Sequence, residues 1–130
     1  MEYSLQGQEI SRICFDYSVV LETIDGTELR IESPFNLFAA ESMPPDEVLP
    51  DLLRETGSVV VRLLNVKITE ASIRESGELS LRFASGQYLQ CLPDDGFEAW
   101  TLVAATGERA VCMPGGGVSY WPASHPAWGD

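Results

Sequence analysis

Hydrophobic and polar positions alternate along most of this chain, most clearly over residues 77–92. Leu79, Leu81 and Phe83 fall on one parity, and Leu89 and Cys91 resume the alternation beyond Ser85-Gly86. Alternation interrupted by a glycine turn predicts an antiparallel hairpin. A second hairpin is predicted over 18–33, where Val19, Leu21, Leu29 and Ile31 flank Asp25-Gly26. A two-residue loop there would set Leu21 opposite Arg30 and Glu22 opposite Leu29, mixing polar and apolar side chains on both faces. A three-residue loop pairs Leu21 with Leu29 and Val19 with Ile31; in the later hairpin it pairs Leu81 with Leu89 and Leu79 with Cys91. A one-residue slip would turn every side chain to the wrong face, so the three-residue register is expected in both. It places Gly26 and Gly86 in the left-handed region.

The two hairpins read as an internal repeat. A shift of 60 superimposes Leu21 on Leu81, Gly26 on Gly86 and Leu29 on Leu89. The preceding strands are matched at a shift of 50, Gly7 to Arg12 against Gly57 to Arg62, with an insertion at 69–76 in the second copy. The pseudo-repeats are thus 7–33 and 57–92, each a three-stranded meander. A strand begins the first at Ile10 to Phe15, and Pro34 ends it, because proline cannot donate to a ladder. The connection 34–56 carries acids early, apolar residues at Val48, Leu49, Leu52 and Leu53, and Gly57 beyond. These signals predict one short helix from Asp46 or Asp51 to Glu55. Residues 59–73 read as one long strand that changes face at Leu63-Leu64, implying a bulge at a barrel corner. A C-terminal hairpin over 97–121, turning at Thr106-Gly107 and ending in an edge strand from Val118 to Trp121, precedes an extended tail, 122–130. The expected fold is mainly β in a single domain: an antiparallel sheet or partial barrel from two meanders and a C-terminal hairpin, with one short helix.

Composition adds one strong constraint. Twenty Asp and Glu against eight Lys and Arg give a net charge of −12. Such a chain lacks the basic surface that phosphate contacts require, so nucleic acid and anionic membranes are not expected partners. A basic protein is, and the charge would speed its encounter; the competing reading is solubility alone. No apolar run is long enough to span a membrane, and the N-terminus lacks the basic flank and apolar stretch of a signal peptide. Cytoplasmic residence is therefore expected, with Cys14, Cys91 and Cys112 as reduced structural thiols.

Little in the chain points to catalysis. The single histidine, His125, lies in the proline-rich tail, and no nucleophile elbow, phosphate loop or zinc-protease motif is present. Pro114-Gly115-Gly116-Gly117 could cradle an anion with backbone N–H groups, but it reads better as an exit from a strand. Asp94, Asp95 and Glu98 gather at one corner, where a divalent cation or ordinary turn chemistry would account for them. Glu98 shares parity with Trp100; on an inward face it would need Arg62, Arg82 or Arg109 as a partner.

The run from Gly77 through Leu79, Leu81, Phe83 and Gly86, with Leu89, then Phe97-Glu98-Ala99-Trp100, then Val111 to Gly117, resembles a domain-of-unknown-function family of small bacterial proteins. That family's pattern is Gly-x-Leu-x-Leu-x-Phe-x-Asp-Gly, Tyr-Glu-Ala-Trp and Pro-Gly-Gly-Gly; here Ser85 replaces the Asp and Phe97 the Tyr. The resemblance implies no activity. Similar small acidic domains serve as immunity proteins in bacterial toxin systems, which is a looser analogy. Two function classes follow. One is a non-enzymatic protein-binding module, in its concrete form an immunity-like inhibitor that covers a basic toxin with Asp94, Asp95 and the 46–55 segment. In it, Tyr120 or Trp128 would serve as a buried anchor. The other is a small-molecule-binding β domain using a concave face near Tyr88 and Trp100. The binding residues expected are Asp94, Asp95, Glu98, Trp100 and Tyr88, with no cofactor and no metal.

Overall fold

A computed structural model describes residues 1–123. Eleven strands build it: β1 (Ile10–Phe15), β2 (Val19–Thr23), β3 (Glu28–Ile31), β4 (Phe35–Phe38), β5 (Asp46–Val48), β6 (Ile68–Ile73), β7 (Leu79–Phe83), β8 (Tyr88–Cys91), β9 (Trp100–Val103), β10 (Arg109–Cys112) and β11 (Val118–Trp121). They form two antiparallel sheets, β1-β2-β3-β9-β10-β11 and β5-β4-β8-β7-β6. The core lies between them, filled by Val19, Leu21, Leu29 and Trp100 from the first sheet and Phe35, Leu37, Leu81 and Leu89 from the second. The mainly β class expected from the alternation is the class observed.

The registers follow the hydrophobic pattern. Leu21 pairs with Leu29, Val19 with Ile31, Leu81 with Leu89 and Leu79 with Cys91. In each of these turns the glycine N–H closes back on the last strand residue, Gly26 on the Thr23 carbonyl (3.0 Å) and Gly86 on that of Phe83 (2.9 Å). Both glycines have φ of +91°. The same bonds close the turns at 74–78, 104–108 and 113–117.

The two halves of the chain are related by an internal pseudo-twofold. Ile13 pairs with Leu21 as Ala71 pairs with Leu81, and the register slips between Ile10 and Arg12 as it does between Ile68 and Glu70. The axis runs through a bridge between Glu9 and Lys67. Around it the bonds come in matched pairs: Ile10 N–H to the Val66 carbonyl (3.0 Å) with Ile68 N–H to that of Gln8 (2.8 Å), and Gly7 N–H to the Ile68 carbonyl with Asn65 N–H to that of Ile10 (both 2.7 Å). Even the left-handed residues match, Gly7 at φ +79° and Asn65 at +65°. The fourth and fifth strands of each half cross to the other half's sheet. Leu37 of β4 lies against Leu89 as Leu102 of β9 lies against Leu29.

Three sequence expectations change. The helix is confined to α1 (Leu53–Thr56), and Asp46–Val48 is an edge strand instead. Phe35–Phe38, which showed no clear period, is a strand with Phe35 and Leu37 inward. Gly57–Leu63 is a 3-10 helix, not the start of a long strand, and no bulge marks Leu63-Leu64. Its buried residues, Gly57, Val60 and Leu63, recur every third position, the period of a 3-10 helix. The first strand of the second half is therefore β6, so the counterpart of Ile10 in the repeat is Ile68, and not a residue of 57–62.

Candidate functional site

The pseudo-twofold creates two comparable corners, each between the connection that follows a first strand and the chain that leaves a fifth strand. One corner is sealed. The 74–78 turn after β6 lies against the 113–117 turn after β10, with Gly117 N–H bonded to the Ser76 carbonyl at 2.8 Å. Trp100 donates its Nε1–H to the Gly77 carbonyl at 2.8 Å. The approach is so close that a Cβ on Gly77 would lie 2.7 Å from the Cys112 Sγ.

The other corner is open. Here the connection is Asp16-Tyr17-Ser18, closed by Asp16 N–H on the Ser18 carbonyl (3.0 Å). Ser18 is buried and accepts a hydrogen bond from Arg30 Nη1 at 2.6 Å, which ties the turn to the sheet. Since Val19 corresponds to Leu79, Tyr17 stands where Gly77 stands in the sealed corner. Both are left-handed, Tyr17 at φ +50° and Gly77 at +99°. A side chain at positive φ is penalised by its Cβ, and Tyr17 is nevertheless 85% exposed, so core packing does not compensate it.

The opposite wall is 49–55. Thr56 pins it: its Oγ1 accepts the Leu49 N–H at 2.9 Å and lies 2.8 Å from the Leu52 carbonyl. Two adjoining cavities result, both lined by Tyr17, Pro50 and Asp51. One, about 440 Å³, adds Phe15, Leu52, Arg54 and Glu55. The other, about 360 Å³, adds Glu32, Asp94 and Phe97. Phe97 is 66% exposed, and Phe15 and Leu52 are also exposed. Aromatic faces and carboxylates thus share one cleft at the sheet end.

The residues expected to bind are scattered. Asp94 alone among them lines the cleft. Its Oδ1 accepts the Gly96 N–H (2.8 Å) and its carbonyl the Gly115 N–H (2.8 Å), so it also shapes the loop that carries Phe97. Asp95 and Glu98 are exposed on that loop. Glu98 needs no buried arginine, because β9 begins only at Trp100 and the parity does not reach back to it. Trp100 is 0% exposed and belongs to the core. Tyr88 is half-buried on the outer face of the second sheet, beneath the Arg82 guanidinium (4.8 Å) and beside the Phe38 ring (5.6 Å). The concave face shared by Tyr88 and Trp100 does not exist. Tyr120 is exposed on the β11 edge, while His125 and Trp128 lie outside the described residues.

The 46–55 segment, expected on a docking face, does line the cleft through Pro50 and Asp51, whereas the sequence reading missed Tyr17, Phe15 and Glu32. The available signal was Tyr17 in a short turn whose counterpart in the repeat is glycine. Among the described residues, no three His, Cys, Asp or Glu side chains are grouped to hold a metal ion, and no helix is long and apolar enough to cross a membrane. Burial pushes the Cys91 thiol up to about 12 and raises that of Cys112, so neither is a ready nucleophile. No curated protein and no solved structure matches the chain. Residues 1–122 match the family described as a family of unknown function, DUF6188, and the chain belongs to that family.

Proposed function

We propose that this protein is a non-enzymatic binding module whose open corner docks a basic protein. The observation that carries this reading is Tyr17, an exposed ring held at positive φ where the sealed twin corner uses glycine. A strained backbone that buys no packing is the kind of outlier that accompanies a functional constraint. The chemistry around it fits a basic protein surface. Exposed aromatic side chains supply rigid contact area at low entropic cost, and the carboxylates of Glu32, Asp51 and Asp94 favour a cationic partner. The net charge of −12 steers such a partner from a distance. An immunity-like inhibitor is the concrete form of this reading, with the partner's basic surface occluded by the corner.

Site-specific photo-crosslinking in the native host tests it. A photoreactive residue at position 17 or 97 should capture a basic protein that the same residue at position 84, in the exposed turn beyond Phe83, does not. Capture should weaken as salt shortens the screening length below about 10 Å. Failure to capture a basic protein at either corner position, or equal capture at position 84, would overturn the reading.

A further inference from the structure

We propose, resting on the docking reading above, that the cleft between Tyr17 and Phe97 seats an arginine side chain of the partner. Three features converge there. Tyr17 and Phe97 present two exposed rings at one mouth, three carboxylates (Glu32, Asp51 and Asp94) line the same cavity, and its lining contains no Lys or Arg. The volume, about 360 Å³, accommodates a long side chain with ordered water around it, a water taking roughly 30 Å³.

The molecule shows elsewhere how it uses such surroundings. On the outer face of the second sheet, Phe38 and Tyr88 pack together and Glu41 lines the same small cavity, about 210 Å³. The cation there comes from the protein itself: Arg82 lines that cavity, with its guanidinium 4.8 Å from the Tyr88 ring centre and its Nε 3.9 Å from Glu70. In the cavity between Tyr17 and Phe97 two rings and carboxylates stand without a cation among the lining residues, Arg54 lining only the adjoining cavity. Arginine fits better than lysine for physical reasons. Its guanidinium is planar, stacks on rings, pairs with a carboxylate through two N–H groups and is more weakly hydrated than an ammonium.

Three hexapeptides that alternate glycine with arginine, lysine or the neutral isostere citrulline test the proposal, each titrated into the ¹⁵N-labelled full chain. The arginine peptide should shift the amides of Tyr17, Asp51 and Phe97, and bind more tightly than the lysine peptide, by up to the roughly fivefold that a cation over an exposed ring provides. Citrulline should leave those amides unmoved. Tyr17→Asn, which keeps a residue tolerant of positive φ, should bring the arginine-to-lysine ratio to about one without disturbing the rest of the spectrum. Equal affinity for arginine and lysine in the unmutated protein, or shifts spread over the acidic surface with none at the corner, would overturn the arginine seat. If those results came while position 17 still crosslinked a basic protein, the docking reading would stand and only the arginine assignment would fall. Loss of both would remove both.

Discussion

Replacing Gly77 by alanine isolates what close packing adds to a left-handed turn. Gly86 provides the reference, because its φ is +91° and an added Cβ would meet nothing within 4 Å. Gly86→Ala should therefore show the backbone penalty alone, about 1 kcal/mol. Gly77 carries a similar backbone penalty at φ +99°, but its Cβ would lie 2.7 Å from the Cys112 Sγ and 3.3 Å from both the Gly117 carbonyl and the Pro93 ring. Forcing atoms into a packed site costs about 1–3 kcal/mol. Any shift of the turn also strains the bond from Trp100 Nε1 to the Gly77 carbonyl, whose loss would leave a buried donor unpaired. Gly77→Ala should thus lose about 3 kcal/mol or more, a large share of a domain's usual stability of roughly 5–15 kcal/mol. Urea unfolding followed by tryptophan emission measures it; at a slope of about 1.5 kcal/mol per molar, the midpoint should fall by about 2 M. Adding Cys112→Ala removes the nearest obstructing atom, so the double variant should be more stable than the sum of the two single losses predicts. A Gly77→Ala loss no greater than that of Gly86→Ala would refute the sealed-corner geometry.

The corner of opposite character should respond in the opposite sense. Tyr17→Asn should leave stability unchanged or raise it by up to about 1 kcal/mol, since it eases positive-φ strain and removes little packing, while crosslinking and arginine-peptide binding fall; a clear loss in urea unfolding would show that Tyr17 serves the fold. Cys91 should resist a thiol reagent in the folded state and react on unfolding, with Cys14, which is less buried, labelled before it. Burial holds the Cys91 proton to about pH 12 against 9.0 for an unperturbed thiol, so its contribution is complete below pH 9 and is lost as pH rises towards 12. Cys91→Ala should flatten the wild-type decline over that window, and identical slopes would refute the assignment. Asp25 behaves inversely. Its carboxylate accepts hydrogen bonds from the Thr23 hydroxyl (2.5 Å) and the Thr27 N–H (3.1 Å), which hold its pKa below 3.8. The stability it adds is present above 3.8 and is lost as pH falls through the lowered value, so Asp25→Ala should weaken the protein at neutral pH and soften its acid unfolding.

The amino-acid sequence by itself determined the hairpins and their registers. Leu21 and Leu29, or Leu81 and Leu89, can reach a common face only with a three-residue loop, and that loop requires a left-handed residue where Gly26 and Gly86 occur. These are local constraints of parity and turn geometry, visible over a dozen residues. The tertiary structure decided what depends on contacts distant in the chain. Val59, Val60 and Val61 favour a strand by propensity, yet Gly57–Leu63 is 3-10, with Gly57, Val60 and Leu63 buried at every third position and Val59 only partly buried against the core. Phe35–Phe38 becomes a strand because β8 offers it a partner fifty or more residues away. The sequence called Trp100 a binding residue, and it is core because its ring fills the space between two sheets while its Nε1 meets Gly77. The candidate site belongs to this second class in its geometry, although Asp94 and the 46–55 segment were already legible as acidic docking residues. Tyr17, Asp51 and Phe97 are far apart in the chain, and their cleft exists because the swapped fourth and fifth strands bring the 49–55 wall and the Phe97 loop to the same sheet end as Tyr17.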